Sequence, residues 1–358
     1  MPGHSEIPDW WIYCGGVGPS RTDLPEPPPW RSFTGEVPAD DDDHGRPQAD
    51  MAASDAMGAR RLGRYRQAMA YQADDEEINL VNLALHLRRP LLVTGQPGVG
   101  KSTLAYSVAH ELGLGPVLRW PITSRSTLLD GLYQYDAVGR LQQISMQREA
   151  TPEADREAGD GARTDIGAYV RLGPLGTALL PQRRPRVLLV DEIDKSDIDL
   201  PNDLLNVFEE GEFIVPELAR LKEQKVTVMT ADPGGSATLD EGRVRCAEFP
   251  FAVLTSNAER DFPKAFLRRC IRLEIPPPSE EKLARMVAAH LEPAIPEVTA
   301  VREQLIAEFI RKQTQDAAVL ANDQLLNALL MATTAGLWDD ENGRRLINEH
   351  LLRPLDQV

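Results

Sequence analysis

Cysteine, long apolar runs and positive charge are all scarce in this chain, and each shortage removes a class of answer. Cys14, Cys246 and Cys270 are the only thiols in 358 residues. An odd, widely spaced trio supports neither a disulfide framework nor a four-cysteine zinc site, and it fits a reducing, cytoplasmic setting. There is no run of about 18 consecutive apolar residues and no basic start followed by an apolar stretch, so neither a membrane span nor a secretory leader is expected. Lys plus Arg number 39 against 55 for Asp plus Glu, and the resulting net charge of −16 opposes adhesion to nucleic acid or anionic lipid. No internal repeat of about 20 to 50 residues is found. No Asn-Lys-x-Asp segment is present to read a guanine base.

What is present is an apolar share of 42%, enough for a substantial core, distributed unevenly along the chain. Residues 1–73 are rich in proline, charge and small side chains, including Pro27-Pro28-Pro29-Trp30 and the acidic run Asp40 to Asp43. That segment is expected to be largely without fixed structure. Yet Trp10, Trp11, Tyr13, Trp30 and Phe33 are dense for a solvated tail. Two readings stay open: anchors that dock on a partner or on the folded domain, or a flexible leader. Asp74 to Leu87 reads as a helix leading into the first strand.

The most informative run is Leu91-Leu92-Val93-Thr94-Gly95-Gln96-Pro97-Gly98-Val99-Gly100-Lys101-Ser102-Thr103, an apolar strand, a glycine-rich loop and a helix start. Gly95, Gly98 and Gly100 let the backbone curl so that successive N–H groups face phosphate oxygens, with Gln96, Pro97 and Val99 completing the loop. The helix that begins at Lys101 turns its positive end on the same oxygens. The Lys101 ammonium would reach the β- and γ-phosphates, and the Ser102 hydroxyl, next to Thr103 in the first turn, would ligate Mg²⁺.

Val117 to Ile122, Val187 to Val190, Phe251 to Ser256 and Ile271 to Ile275 are further short apolar runs separated by helical stretches. This alternation predicts an α/β core over residues 74–276 with a parallel sheet covered on both faces, its ligands at the C-terminal ends of the strands. From Pro276 onward the pattern is all helical: Ser279 caps one helix, and Val298 to Gln313, Asn322 to Ala335 and Arg344 to Leu352 follow, a small lid domain over 277–358. Residues 147–165 are expected to form a surface loop.

The run Val187 to Val190 delivers Asp191 and Glu192 at its tip, and adjacent strand side chains diverge, so the two cannot share a task. Asp191 is the candidate for holding Mg²⁺ through its water shell beside Ser102. Glu192 is the candidate for orienting and polarising an attacking water. Asn257, past the tip of another apolar strand, could bond a water and a γ-phosphate oxygen without adding charge. Arg268 and Arg269 precede the last strand, where surface salt bridging is the simpler alternative.

Together these blocks resemble the AAA+ ATPases, and within them the MoxR-like, dynein-related group. The resemblance is carried by Gly95 to Ser102, Thr123 to Leu141, Val187 to Glu217 and Phe249 to Leu273, and covers about residues 75–355. It implies a P-loop NTPase core with a five-stranded parallel sheet sandwiched by helices and a small helical lid. It further implies ATP and Mg²⁺ as ligands, Gly95 to Ser102 as Walker A, Asp191 and Glu192 as Walker B, and Asn257 as sensor 1. Arg269 or Arg268 would be a finger inserted into a neighbouring subunit of a homo-oligomeric ring, typically hexameric. Inserts would fall at Tyr133 to Pro174 and Gly211 to Pro250, where Tyr133 and Tyr135 are either partner contacts or, as is commoner, packed. Relatives carry a sensor 2 arginine at the third lid helix, where this chain reads Leu320-Ala321-Asn322-Asp323; either Arg344 or Arg345 substitutes, or the lid couples more weakly to nucleotide.

Two functions are carried forward. One is a Mg²⁺-dependent ATPase whose ring remodels or activates a protein client, in the chaperone-like manner of MoxR relatives. The other is a nucleotide-gated binding module of a defence or signalling assembly with slow turnover, its partner reached through the aromatic N-terminal segment.

Overall fold

A computed structural model describes residues 7–16, 24–37, 71–150, 166–221, 224–291, 299–315, 320–334, 337–338, 340 and 341–354. Helix α1 (Asp75–Leu87) leads into strand β1 (Leu91–Gly95), which is followed by the glycine loop and α2 (Lys101–Glu111). Strands β2 (Leu118–Pro121), β5 (Val187–Asp191), β10 (Phe251–Ser256) and β11 (Ile271–Ile275) complete a five-stranded sheet in the order β11-β1-β10-β5-β2. Every pairing in it is parallel, with Leu91 opposite Val253 and Ile271, Leu188 opposite Ala252, and Pro121 opposite Asp191.

The strands are apolar on both faces because both faces are covered. Leu91, Val93, Val187, Leu189 and Val253 pack with α1 and α2 in one core, whereas Leu92, Leu188, Val190 and Leu254 point into the opposite one. Helix α3 (Ala137–Ala150) and helix α4 (Leu200–Glu210) lie in the chain between the sheet's strands. Leu204 and Phe208 of α4 belong to the second core.

That second core extends into a feature that the sequence pattern did not disclose. The two expected inserts meet in a six-stranded mixed sheet, ordered β3 (Tyr133–Tyr135), β4 (Val170–Leu172), β7 (Lys225–Met229), β8 (Ser236–Asp240), β9 (Arg243–Arg245) and β6 (Glu212–Ile214). Tyr133 is buried and donates from its hydroxyl to Glu217 at 2.9 Å, and Tyr135 is half-buried against the same core, so both tyrosines are packed. The stretch read as a loop from residue 147 begins instead as the last turn of α3, through Ala150; the rest of it, 151–165, lies outside the described residues.

C-terminal to the sheet, α5 (Glu280–Leu291), α6 (Thr299–Gln315), α7 (Asn322–Thr334) and α8 (Glu341–Leu346) surround a separate core of Leu283, Val287, Leu305, Phe309, Leu325 and Ile347. Lys282 on α5 ties this cluster to α1 through Asp74 at 2.7 Å and the buried Glu77 at 2.5 Å. No helix among the described residues is long and apolar enough to cross a membrane.

The segment 1–73, expected to be largely unstructured, is not so in its described parts. Residues 7–16 lie against α1, where the fully buried Asn82 accepts from the N–H groups of Ile12 and Tyr13 and donates to the carbonyls of Tyr13 and Ile78. Glu111 accepts from the N–H groups of Cys14 and Gly16. Residues 24–37 are fixed by Arg31, which donates to the Arg88 and Phe208 carbonyls, and by Phe33 stacked on Phe249 at 5.5 Å. Proline and charge suppress periodic structure, but an aperiodic strap is stable when side chains of the domain satisfy its backbone. Of the five aromatics, Trp11, Tyr13 and Phe33 are anchors on the domain, while Trp10 and Trp30 remain 40% and 75% exposed. Replacing Asn82→Ala should strand several of these buried groups and lower stability by about 2–3 kcal/mol, with faster proteolysis within residues 7–16. Urea denaturation and limited digestion check both.

Candidate nucleotide site

The strand order places β10 between β1 and β5, so the chain segments leaving these three strands converge at one edge. A cleft of about 390 Å³ opens there, walled by the glycine loop, Asp191, Glu192, Thr255 and Asn257, and on the far side by Tyr71, Lys282, Met286 and Asn322.

The loop's shape depends on three glycines. Gly95 has φ of +149° and no room for a Cβ, which would lie 2.5 Å from the Ile275 carbonyl oxygen. Gly98 and Gly100 have φ of +78° and +107°, where a side chain is strained. A Cβ on Gly98 would also lie 2.3 Å from that of Ala321, and one on Gly100 would press the Tyr71 ring at 3.1 Å. The backbone is therefore held close under both the C-terminal helices and the segment before α1. Val99 is buried beneath the loop, while Gln96 and Pro97 are exposed.

Lys101, 7% exposed, donates to the carbonyls of Gly95 at 2.8 Å and Gln96 at 2.9 Å and to Asn257 Oδ1 at 2.7 Å. Burial pushes its pKa down, against the opposing pull of Asp194, Glu192 and Asp191. No carboxylate among the described residues forms an ion pair with it. A buried ammonium surrounded by neutral oxygens and facing a cleft is a fit for an anionic ligand.

Asp191 sits at the tip of β5 with both oxygens engaged. Oδ1 accepts from Ser102 Oγ at 2.7 Å and Thr255 Oγ1 at 2.8 Å, and Oδ2 accepts from Arg119 Nε at 3.0 Å and Nη2 at 2.6 Å. Burial raises the pKa of this carboxyl, but the hydrogen bonds from Ser102, Arg119 and Thr255 outweigh it and hold the group below its ordinary range. A hydroxyl beside a carboxylate is a hard donor set suited to Mg²⁺, which takes few protein ligands beside phosphate and water. No cluster of three or more metal-ligating side chains exists among the described residues.

Among the described residues, the Glu192 side chain shares no partner with that of Asp191, because Glu192 lies just past the end of β5 rather than in the strand, where alternation would part them. It adopts a left-handed conformation with φ of 63°, its N–H donates to Thr255 Oγ1 at 2.9 Å, and its carboxylate pairs with Lys195 at 2.7 Å. That pair is half exposed and of the kind worth about 0–1 kcal/mol, so Glu192 is held only loosely. Asn257 is fixed from below, where Asp194 Oδ2 accepts its N–H at 2.9 Å. Asp194 is 6% exposed and its Oδ1 has no partner.

Arg268 and Arg269 are not part of this cleft. Arg269 pairs with Glu209 of α4 at the surface, and the Arg268 carbonyl accepts from Arg89. Arg344 and Arg345 are likewise elsewhere, bonded to the Trp338 carbonyl and to Glu349. Among the described residues, the cations lining the cleft are Lys101, Arg119 and Lys282. Reading the sequence missed Arg119, Thr255, Asp194, Lys282 and Tyr71. A signal existed for Arg119, a lone cation within the apolar run Val117 to Ile122; Lys282 and Tyr71 carried none, being joined to the site by folding alone.

An all-parallel sheet with a glycine loop after β1, a helix N-terminus beyond it and an acidic pair at the tip of β5 is a P-loop nucleotide-binding core. The family model of the AAA domain, dynein-related subfamily, matches residues 90–270, and the chain belongs to that family. No curated protein matches the chain. Membership supports a nucleotide-dependent function of the AAA+ kind.

The hydroxyl of Thr255 joins Asp191 to the backbone of Glu192. Thr255→Val, nearly isosteric, should strand the Glu192 N–H and remove one donor from Asp191, lowering stability by about 2 kcal/mol in chemical denaturation.

Proposed function

We propose that the chain is a Mg²⁺-dependent ATPase of MoxR type that works as a ring and remodels or activates a protein client. The supporting observation is the convergence of Lys101, Ser102, Asp191, Glu192 and Asn257 on one cleft. The glycine loop and Lys101 would bind the phosphates, with Gly98 to Thr103 supplying main-chain donors. Ser102 and Asp191 would hold Mg²⁺, which when bound neutralises charge on the phosphates. Glu192, freed from Lys195, would accept a hydrogen bond from the attacking water while Asn257 fixes that water's position. The far wall of Tyr71, Met286 and Leu326 is apolar enough to receive a base.

Arg269, or Arg268 beside it, would complete the site of a neighbouring copy. Both lie on the surface away from the chain's own cleft, as a residue acting in trans must. Trp10 and Trp30 offer exposed rings for a client.

A second reading is favoured by one observation: among the described residues, no arginine of the C-terminal helices lines the cleft. It makes the chain a nucleotide-gated binding module with slow turnover. Phosphate release at ring-forming concentration separates the two. Glu192→Gln should retain ATP binding and cut release by about a hundredfold or more; release no greater in the wild type than in this variant would refute the ATPase and leave the gated module. Arg269→Ala should leave nucleotide binding unchanged while lowering turnover of the assembled protein by about 10³. If Arg268→Ala does so instead, the finger is its neighbour.

A further inference from the structure

Among the described residues, the guanidinium of Arg119 is the side-chain donor to Asp191 that neither α2 nor β10 supplies. Strand β2 alternates, burying Leu118 and Trp120 in the core on one side of the sheet and turning Arg119 to the other. Arg119 pairs in register with Leu189, which makes Asp191 its diagonal neighbour on the same face, within reach of a long side chain.

The contacts on Asp191 divide cleanly. Oδ1 is taken by two hydroxyls, Ser102 and Thr255, and Oδ2 by two N–H groups of Arg119, so the carboxylate has no acceptor capacity left. A hydrated divalent cation beside Ser102 needs an oxygen of this carboxylate to receive its water shell. Of the two, Oδ1 carries short bonds from Ser102 and from Thr255, whose hydroxyl is itself fixed by the Glu192 N–H. Oδ2 is held by a side chain that is 39% exposed and has no other ion pair among the described residues. A guanidinium and a divalent cation on one oxygen also repel each other, whereas a monovalent ion gains too little from the carboxylate to displace two charge-assisted hydrogen bonds.

We propose that Arg119 is an exchangeable counter-cation of Asp191: it occupies the carboxylate oxygen that the metal's water shell requires, and thereby sets the divalent-cation threshold of the nucleotide site. With Arg119 in place, Asp191 stays ionised, neutralised and aimed at Ser102. Displacing it takes a doubly charged ion. The cleft thus discriminates by charge before any chemistry occurs.

This inference rests on the reading of the cleft as a Mg²⁺–nucleotide site, and binding tests both without turnover. Methylanthraniloyl-ADP fluorescence is titrated with Mg²⁺ on the full chain, as wild type, Arg119→Gln and Arg119→Lys. Competition predicts that the Mg²⁺ midpoint falls by about tenfold in Arg119→Gln, the equivalent of losing one charge-assisted hydrogen bond. Arg119→Lys, which keeps the charge but not the fork, should fall between the two. If Arg119 merely props Asp191, the midpoint rises or stays unchanged in both variants, and the proposal is overturned. Wild type that binds no nucleotide at any Mg²⁺ concentration overturns the reading of the cleft and this inference with it. The lysine variant keeps Asp191 compensated, so it reports even if the glutamine variant does not fold.

Discussion

A carboxylate at the end of a buried strand must find its hydrogen-bond donors inside the fold, and Asp191 draws them from three other elements. Ser102 comes from the start of α2, Thr255 from β10 and Arg119 from β2. Because charge-assisted bonds are short and directional, this one group fixes how the glycine loop, the acidic tip and two neighbouring strands sit against each other. Lys101 and Asn257 repeat the arrangement one strand away, joining the loop to the end of β10. The candidate site is the consequence of these two junctions.

Around that edge, the molecule uses the same device of satisfying exposed backbone with buried side chains. Asn82 and Glu111 hold residues 7–16, and Arg31 and Arg88 hold residues 24–37. Neither segment is periodic, though each buries apolar side chains, Ile12 and Tyr13 in the first and Phe33 against Phe249 in the second. Their order depends on polar groups that α1, α2 and the mixed sheet present to them. The C-terminal helices are attached in a comparable way, through Lys282 on Asp74 and Glu77 and through Ala321 over Gly98. A ligand at the loop would therefore meet groups from the sheet, from the segment ahead of α1 and from the C-terminal cluster at once.

Much of the site could be read from residue order. Gly95 to Thr103 and Asp191–Glu192 are local patterns, each a strand with its polar tip, and the structure brings Pro97 to Thr103, the acidic pair and Asn257 to one cleft, while Gly95 and Gln96 lie outside its lining. Arg268 and Arg269 were equally visible but lie outside that cleft, with Arg269 paired to Glu209 of α4 at the surface. Thr255 was hidden in plain view as the penultimate residue of a buried strand, where a hydroxyl differs little from valine in shape.

By itself, the order of residues determined the parallel sheet, its covered faces, the helical C-terminal part and the two polar strand tips. Those depend on near-neighbour periodicity and on turn chemistry, both local along the chain. Tertiary structure alone decided that the two inserts share one sheet, that an aperiodic N-terminal strap is anchored, and that Arg119 rests on Asp191. Each of these pairs residues distant in sequence, and such contacts are settled by strand register and by which buried polar group lacks a partner. Neither quantity is written in any single stretch of sequence.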